Sequence, residues 1–433
     1  MGSTDSIKRI DKILFTNARV IEAEKLSEQK QDVVIEDGKL KEIGKISSAG
    51  FSGKVVDLHR LALCPGLIDM HVHLREPGGE HKETIETGCD SAMAGGFTGV
   101  CPMPNTTPAA DNPKIIEFLK NQSKDLLVDV FPIAAVTKDR AGAVLTEMEA
   151  LVQAGAVAFS DDGDPVATAG ILRSAMQNAK KLDVPIIEHC EDKSFSGNWA
   201  MNEGVVSKRL GLPGIPGIAE EVMVARDIQV AECTGAKIHI AHISTAKAVD
   251  LVRQAKKQGV QVTCEVMPHH FILTEEAVLK QDTNAKMSPP LRTQQDVDAM
   301  LKGLQDGTID VIATDHAPHS KEEKEVEFIK APMGIVGLET ALGLVLSNLV
   351  GPGLLTLSQA ICKMTKRPAE ILNLERGELK IGAPASLTIF DPEHEWTVDK
   401  TQFKSKSQNT PFEGWKLKGK VFGLYNKNMW WQA

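Results

Sequence analysis

The stretch KIHIAHISTAKAVDLVRQAKKQGVQVTCEVMPHH, residues 237–270, contains the unit from which the fold can be read. It opens with the short apolar run KIHIAHIS and closes with a second one, QVTCEVMPHH. Between them, TAKAVDLVRQAKKQG (245–259) has apolar residues three and four positions apart, the period of an amphipathic helix. Two buried strands joined by a helix predict a parallel βαβ unit.

The same order of strand, loop and helix extends over most of the chain. Most strand candidates are near-continuous apolar runs, as expected for parallel strands buried on both faces. Helical patterns such as GILRSAMQNAKKL (170–182) follow them. Eight such units favour a closed (β/α)8 TIM barrel of the α/β class over an open sheet, although periodicity alone does not show closure. The candidates are residues 61–74, 97–104, 126–136, 156–162, 184–190, 237–244, 261–270 and 310–319.

The two ends of the chain have a different pattern, with short β-branched runs, Gly and Asp between them, and no helical period. Because chain termini often lie close together, we predict one small β-sandwich-like domain built from both ends. The predicted division is 1–62 and 377–433 for this β-domain and 63–376 for the barrel. Its strand candidates are residues 12–22, 31–45, 54–58, 385–392, 395–399 and 415–426.

Composition excludes several classes of protein. Of 433 residues, 42% are hydrophobic and 25% charged, and the formal net charge is -9, without any long Lys/Arg block. These values are typical of a soluble globular protein and argue against a nucleic-acid partner. The seven cysteines are scattered and never form a C-x-x-C pair, which predicts reduced thiols in a cytoplasmic protein. Neither a signal-peptide core nor an apolar stretch of about 20 residues is present, so we expect no secretion and no membrane insertion.

Titratable residues gather at the predicted carboxyl ends of the barrel strands, where barrel enzymes carry their chemistry. One buried histidine is usually a core residue, but the coincidence at several strand ends favours a functional site. His71 and His73 end the first strand, and period-two alternation points both rings to one face. Imidazoles with one or two carboxylates suit Zn²⁺, as one ion or as a bridged pair. The residues at these ends are His71, His73, Asn105, Asp161, Asp162, His189, His242, His269, His270 and Asp315.

Several motifs resemble a known family. DMHVHLREPG (69–78) is similar to the opening signature of the amidohydrolase superfamily, and its Arg-Glu-Pro-Gly resembles the class I dihydroorotases in particular. The likeness covers the whole chain and implies a cyclic amidohydrolase. Its reaction would be the reversible hydrolysis of the ring amide of dihydroorotate to N-carbamoyl-aspartate, in de novo pyrimidine biosynthesis. The further motifs, in the family's order, are PMPNT (102–106), FSDDG (159–163), EHCED (188–192), HIAHIST (239–245), CEVMPHH (264–270), PPLR (289–292), ATDHAPH (313–319) and GIVGLET (334–340).

The resemblance also implies a ligand set. The family's metal aspartate stands a fixed distance before the histidine of the H-C-E motif, which favours Asp162 over Asp161. Hydantoinases, dihydropyrimidinases and the other class of dihydroorotases place a carbamylated lysine between their ions, and no lysine lies near Asp162. Asp315 would be the catalytic carboxylate beside the metal. The implied ligands are His71, His73, Asp162, His189, His242 and Asp315.

Substrate contacts are expected around the same mouth. Arg75 follows the H-x-H motif, and its guanidinium suits a substrate carboxylate. The resemblance adds Asn105, His319 and Gly334 as substrate-binding residues. Ser288 is the clear departure from the family, which carries Asn immediately before Pro-Pro-Leu-Arg. Because a hydroxyl can need a water to reach the same ring atoms, we expect binding to weaken by about 1 kcal/mol.

Two alternatives stay open from the sequence. A hydantoinase-like or dihydropyrimidinase-like enzyme would use the same metal chemistry on a different ring, but Arg75 and Asp162 argue against it. A non-catalytic scaffold partner of aspartate transcarbamoylase is the second, but such relatives typically lose metal ligands and this chain retains them. Association with that transferase stays open, and a homo-oligomer is expected.

Overall fold

The barrel predicted from the repeated units is present and closed. The computed structural model describes residues 7–23, 25–59, 61–195 and 199–433. Its third strand is in two pieces, Asp129–Val130 and Ile133–Ala135, and a parallel bridge between Val72 and His316 closes the ring. The other barrel strands are Leu67–Val72, Phe97–Pro102, Ala158–Ser160, Ile186–Glu188, Ile238–Ile240, Val262–Val266 and Val311–Ile312.

Helices surround the barrel and begin where the sequence places capping residues. The Thr245 side chain accepts a hydrogen bond from the Ala248 backbone N–H and caps Ala246–Lys257, the helix predicted at 245–259. Its buried face consists of small and β-branched residues that pack toward the strands. The helices that follow the eight strands in turn are Ile85–Gly95, Pro113–Ser123, Met148–Ala154, Ala169–Leu182, Ile218–Thr234, Ala246–Lys257, Gln294–Asp306 and Leu338–Val345. Shorter or later helices are Val205–Leu210, Pro268–Ile272, Lys321–Lys324, Leu357–Met364 and Lys366–Ile371.

Both ends of the chain build one nine-stranded sheet, as predicted. Leu387–Thr397 pairs antiparallel with Ala62–Pro65, which joins the carboxyl-terminal strands to the amino-terminal ones. Phe15 and Trp430 pack with their rings tilted by 54° and their centroids 5.2 Å apart, inside the sheet's own core. The order across the sheet is Lys8–Arg9, Met429–Gln432, Lys416–Asn426, Leu387–Thr397, Ala62–Pro65, Lys12–Glu22, Ser27–Glu36 and Lys39–Gly44, with Lys54–Asp57 beside Lys12–Glu22.

Three strand candidates differ from the prediction. The run at 61–74 divides at Gly66 into Ala62–Pro65, in the nine-stranded sheet, and Leu67–Val72, in the barrel, so the β-domain extends past the predicted boundary at 62. The other two differ because of a local backbone irregularity. The run at 31–45 lies within a hairpin, Ser27–Glu36 and Lys39–Gly44, because Asp37 and Gly38 adopt positive φ values of 50° and 72° at the turn. The runs at 385–392 and 395–399 form a single strand with a register shift between Asp391 and Glu395.

One segment of the carboxyl-terminal part leaves the sheet and packs against the barrel. Residues 403–410, here called the strap, run between the β-domain strands and contact the loops at the carboxyl end of the barrel. Backbone N–H groups of Lys404 and Ser405 donate to the Glu339 carboxylate, and that of Lys406 donates to Glu83. The strap therefore ties the β-domain to the face that carries the predicted site.

Candidate metal centre

The six predicted ligands meet at the carboxyl end of the barrel. Each follows or ends a strand that is buried on both faces, so the short strands deliver their side chains to one point. The exposed fraction of each side chain is 9% or less. The six are His71 and His73 from the first strand, Asp162 from the fourth, His189 from the fifth, His242 from the sixth and Asp315 from the eighth.

Asp162 lies at the centre of this cluster. Its Oδ1 atom lies 3.5 Å from His71 Nε2, from His189 Nδ1 and from His242 Nε2. Its Oδ2 atom lies 3.7 Å from His73 Nε2. The two carboxylate oxygens thus face different rings, an arrangement suited to bridging two ions.

Asp315 closes the other side of the cluster. Its Oδ1 atom lies 2.9 Å from His73 Nε2 and 3.6 Å from His71 Nε2. Two sets of three side chains therefore offer ligand atoms within 4.8 Å of one another. They are His71 with Asp162 and His242, and His71 with His73 and Asp315.

Unpartnered polar atoms at the centre fit a bound cation. His71 Nε2 and Asp162 Oδ1 are buried and have no hydrogen-bond partner among the described residues. An unpaired buried polar atom costs about 1–3 kcal/mol, so two of them facing each other indicate a site that an ion completes. Imidazole nitrogens with carboxylate oxygens are donors that divalent transition metals prefer.

The pKa values of Asp162 and His189 are shifted by the charged and polar groups that lie around them in the cluster. Burial raises the pKa of Asp162, but the positive charge of His71 and the closely facing His189 and His242 rings outweigh it and hold this pKa well below its usual range. Burial lowers the pKa of His189, but the nearby carboxylates of Asp162 and Glu191 outweigh it and raise this pKa to about 10. The central carboxylate is therefore ionised at neutral pH, and a metal ion competes with protons for the rings.

Three of the histidine ligands are held through the second ring nitrogen, which fixes the orientation of each ring. Two of the holding residues, Glu191 and Glu265, were not predicted, although both lie in quoted motifs, because nothing local in the sequence shows which ring each carboxylate contacts. The pairs are His71 Nδ1 with Glu265 Oε1 at 2.6 Å, His73 Nδ1 with Asn105 Oδ1 at 2.9 Å, and His189 Nε2 with Glu191 Oε2 at 3.0 Å.

The neighbouring candidates lie outside the ligand cluster. Asp161 accepts hydrogen bonds from the backbone N–H groups of Val136 and Thr137, which turn its carboxylate away from the rings. His270 Nε2 lies 2.9 Å from the carbonyl oxygen of Pro289. His269 is buried, and its Nε2 has no partner among the described residues. Asp162 rather than Asp161 therefore faces the histidines.

A cavity of about 280 Å³ opens in front of the cluster. All the predicted ligands except His71 line it, and His71 lies behind them. The five residues predicted to bind the substrate also line this cavity, so strands one, two, seven and eight contribute to one pocket. They are Arg75, Asn105, Ser288, His319 and Gly334.

Arg75 provides the positive charge at the wall opposite the cluster. Its Nε donates to the carbonyl oxygen of Pro318 (3.1 Å), and its guanidinium lies 3.5 Å from His319 Nε2. Burial and the charge of Arg75 lower the pKa of His319 to about 3, so this ring is neutral. An anionic group in the cavity would therefore meet two lysine or arginine side chains, Arg75 and Lys193, with the neutral His319 ring beside Arg75.

Gly334 forms part of the cavity wall, and hydrogen bonds to its carbonyl oxygen hold it in place. Its carbonyl oxygen accepts hydrogen bonds from Asn409 Nδ2 in the strap and from Lys324 Nζ, both at 3.0 Å. Its φ is 122°, and a Cβ atom there would lie 2.6 Å from that of Ala317, so the position requires glycine. Asn409 and Lys324 were not predicted, because nothing local in the sequence links them to Gly334.

Comparisons with known proteins agree with this geometry. A closed (β/α)8 barrel with histidines and aspartates at its carboxyl end is typical of metal-dependent hydrolases. The Dihydro-orotase-like family model matches residues 60–248. The chain is 53% identical over 409 residues to a dihydroorotase of Pelotomaculum thermopropionicum, covering 94% of this chain and 95% of the relative.

A second relative, a dihydroorotase of Syntrophus aciditrophicus, is 50% identical over 412 residues, covering 95% of this chain and 96% of the relative. The chain belongs to the dihydroorotase family. Among solved structures, an L-hydantoinase (dihydropyrimidinase) of Arthrobacter aurescens shares the fold, with a TM-score of 0.86 at 24% identity, covering 96% of this chain and 94% of that one.

Proposed function

We propose that the protein is a dihydroorotase that catalyses the reversible hydrolysis of the ring amide of dihydroorotate to N-carbamoyl-aspartate, a step of de novo pyrimidine biosynthesis. The observation that carries this proposal is one cavity with the Asp162 carboxylate among four histidine rings at its base and an arginine on its wall. The base suits metal-assisted hydrolysis, and the wall suits a substrate that bears a carboxylate. Relatives that span nearly the whole chain carry the same name.

We propose zinc as the metal, as one or two ions held by His71, His73, Asp162, His189, His242 and Asp315. The nitrogen and oxygen donors favour this ion. When bound, zinc lowers the pKa of a coordinated water to about 7 and polarises the carbonyl group under attack.

Asp315 is the proposed proton carrier. Although burial opposes it, a hydrogen bond from His73 and nearby positive charge hold the pKa of Asp315 below its usual range, so the carboxylate is ionised and can accept a proton. In hydrolysis it takes the proton from the attacking water and returns it to the ring nitrogen as the carbon–nitrogen bond breaks. Ring closure follows the same path in reverse.

Arg75, Asn105 and His319 are proposed to bind the substrate carboxylate, and Ser288 and the backbone of Gly334 to contact the ring. Arg75 supplies the charge and a planar pair of donors. Asn105 Oδ1 lies 2.9 Å from His73 Nδ1, which leaves the amide NH₂ group available to the substrate.

A hydantoinase-like activity is the competing proposal, because hydantoinases share this fold. Likeness at 24% identity supports the fold alone, whereas the approximately 50% identical relatives are dihydroorotases. A non-catalytic scaffold role is disfavoured by the intact cluster.

Metal analysis of the purified protein, together with turnover of dihydroorotate and of hydantoin, tests the proposal. We expect bound zinc and a strong preference for dihydroorotate. Metal-free protein that turns over dihydroorotate, or a preference for hydantoin, would contradict it.

Assembly and location are separate proposals. We propose a homo-oligomer in the cytoplasm and leave association with aspartate transcarbamoylase to be tested by co-sedimentation with that enzyme. All seven cysteines are free, as in a reducing compartment. Within the described part of the chain, no helix is long and apolar enough to cross a membrane.

A further inference from the structure

Glu265 is a buried carboxylate in the middle of the seventh barrel strand, Val262–Val266. Its Oε1 atom lies 2.6 Å from His71 Nδ1. The same oxygen accepts a longer hydrogen bond of 3.4 Å from the backbone N–H of His242. It therefore contacts one predicted ligand by its ring and a second by its backbone.

This contact determines which nitrogen of His71 faces the cluster. With its Nδ1–H donated to Glu265, the His71 ring presents the lone pair of Nε2, and Nε2 is the atom that lies 3.5 Å from Asp162 Oδ1. A neutral imidazole carries only one proton, so the carboxylate selects the tautomer that can bind a metal.

A second histidine lies behind the carboxylate. His239 Nε2 lies 3.3 Å from Glu265 Oε2, and His239 Nδ1 lies 2.8 Å from Thr263 Oγ1. His239 and Thr263 are register partners on adjacent strands, so the backbone ladder fixes their spacing. The exposed fractions of the Glu265, His71 and His239 side chains are all 0%. These side chains form a chain across the barrel interior from the sixth and seventh strands to the first.

The cost of burying this charge points to a purpose beyond packing. The hydrogen-bond and ion-pair partners of the Glu265 side chain among the described residues are histidine rings and one backbone N–H, with no lysine or arginine. An unpaired buried carboxylate costs several kcal/mol, and apolar residues of similar volume often fill such a position without loss of stability.

We propose that Glu265 is a positioning residue of the metal centre, which holds His71 with Nε2 toward the ion and adds a compensating negative charge, while His239, which is hydrogen-bonded to Thr263, packs against Glu265 from behind. This inference rests on the metal centre proposed above. Glu265 does not line the cavity and contacts the His71 ring, so its effect is exerted through His71.

The test is the zinc affinity of the whole protein, measured by competition with a chromophoric chelator, for the parent and for Glu265→Gln. Gln keeps the shape but removes the charge and the preference for accepting a hydrogen bond. We expect the zinc dissociation constant to rise about 10–100-fold, as for other residues that hold a ligand.

The matched control is Asp310→Asn. Asp310 is a buried carboxylate just before the eighth strand, away from the cluster, where it bonds Lys256, Arg367 and the backbone N–H of Cys264. Its loss should lower the melting temperature and leave the zinc dissociation constant within twofold of the parent. Glu265→Gln with an unchanged zinc affinity would overturn the proposal.

Thr263→Val provides a second variant should Glu265→Gln fail to fold. It removes one hydrogen bond behind His239 and should weaken zinc binding by up to about fivefold, the effect of roughly 1 kcal/mol. Zinc affinity equal to that of the parent in Thr263→Val would then count against the chain of contacts. A parent protein that binds no zinc in the same titration contradicts the proposed metal centre itself, so the two failures are distinguishable.

Discussion

At the scale of single residues, Asp162 and Asp161 show how neighbours in sequence are separated by their contacts. Asp162 faces three histidines at 3.5 Å, whereas Asp161 is bonded to the backbone of Val136 and Thr137. The choice between them came from a family spacing and not from local chemistry, since both are aspartates at one strand end.

Replacing the proposed proton carrier tests its role. Asp315→Asn should lower kcat by about 10²–10⁴-fold, because an amide cannot accept the proton. Rates and metal content should be measured on the same samples, since Asp315 also belongs to the cluster. Asp310 lies just before the same strand, outside the cluster. The kcat of Asp310→Asn should therefore stay within tenfold of the parent value. A near-normal kcat for Asp315→Asn would remove the residue from the mechanism.

The arginine on the cavity wall predicts a binding effect. Arg75→Lys should raise KM for dihydroorotate at least tenfold, because a point charge does not reproduce the two parallel hydrogen bonds of a guanidinium. Arg140→Lys is the control, since Arg140 bonds Asp164 (2.7 Å) outside the cavity. Equal effects of the two substitutions would show that Arg75 does not contact the substrate.

Ser288 tests the departure from the family pattern. It lines the cavity, and Ser288→Asn should lower KM several-fold with unchanged metal content, because the longer amide replaces a water-bridged contact worth about 1 kcal/mol. Kinetics identical to those of the parent would place this side chain outside the substrate contacts.

At the scale of elements, the strap couples the β-domain to the substrate pocket. Asn409 donates to the carbonyl oxygens of Ala317 (3.1 Å) and Gly334 (3.0 Å), and its Oδ1 accepts from the His319 backbone N–H (3.2 Å). One side chain thus holds two predicted substrate-binding residues.

Asn409→Ala should therefore raise KM about five- to tenfold, because loss of one to two hydrogen bonds lets the Gly334 wall relax, with a smaller change in kcat. Asn426→Ala is matched in residue type and burial, but Asn426 Nδ2 donates to the backbone carbonyl oxygen of Leu127 and to the carboxylate of Asp129, away from the cavity. Asn426→Ala should lower the stability of the fold and leave KM unchanged. If Asn409→Ala also lowers the stability of the fold but leaves KM unchanged, the strap has no part in substrate binding.

The sequence was sufficient for all eight barrel strands and for the β-domain, because buried parallel strands and β-branched runs leave clear local patterns. It was insufficient where one residue acts on another far along the chain. Glu265 contacts His71 across 194 positions, and Asn409 contacts Gly334 across 75. The hairpin turn at Asp37 and Gly38 lies inside the run predicted at 31–45, where the Asp-Gly pair is itself a local turn signal.

At the scale of the whole molecule, the metal centre joins side chains from five strands, so metal binding should stabilise the fold. Removal of metal with a chelator should lower the melting temperature by about 3–8 °C, and added zinc should restore it, because an ion held only by the folded state stabilises that state. His71→Ala should melt at the same temperature with and without chelator. A parent melting curve unaffected by chelator would contradict the proposed centre.

The nine-stranded sheet sets an order of events during synthesis on the ribosome. Leu387–Thr397 lies between Ala62–Pro65 and the last strands, so the amino-terminal strands emerge long before their partners. At about 5–20 residues per second, some 320 residues of barrel require roughly 16–65 s of translation. During that interval the edge of Ala62–Pro65 presents unpaired backbone groups to solvent. Chaperone occupancy on nascent chains should therefore persist until the carboxyl-terminal strands have left the exit tunnel.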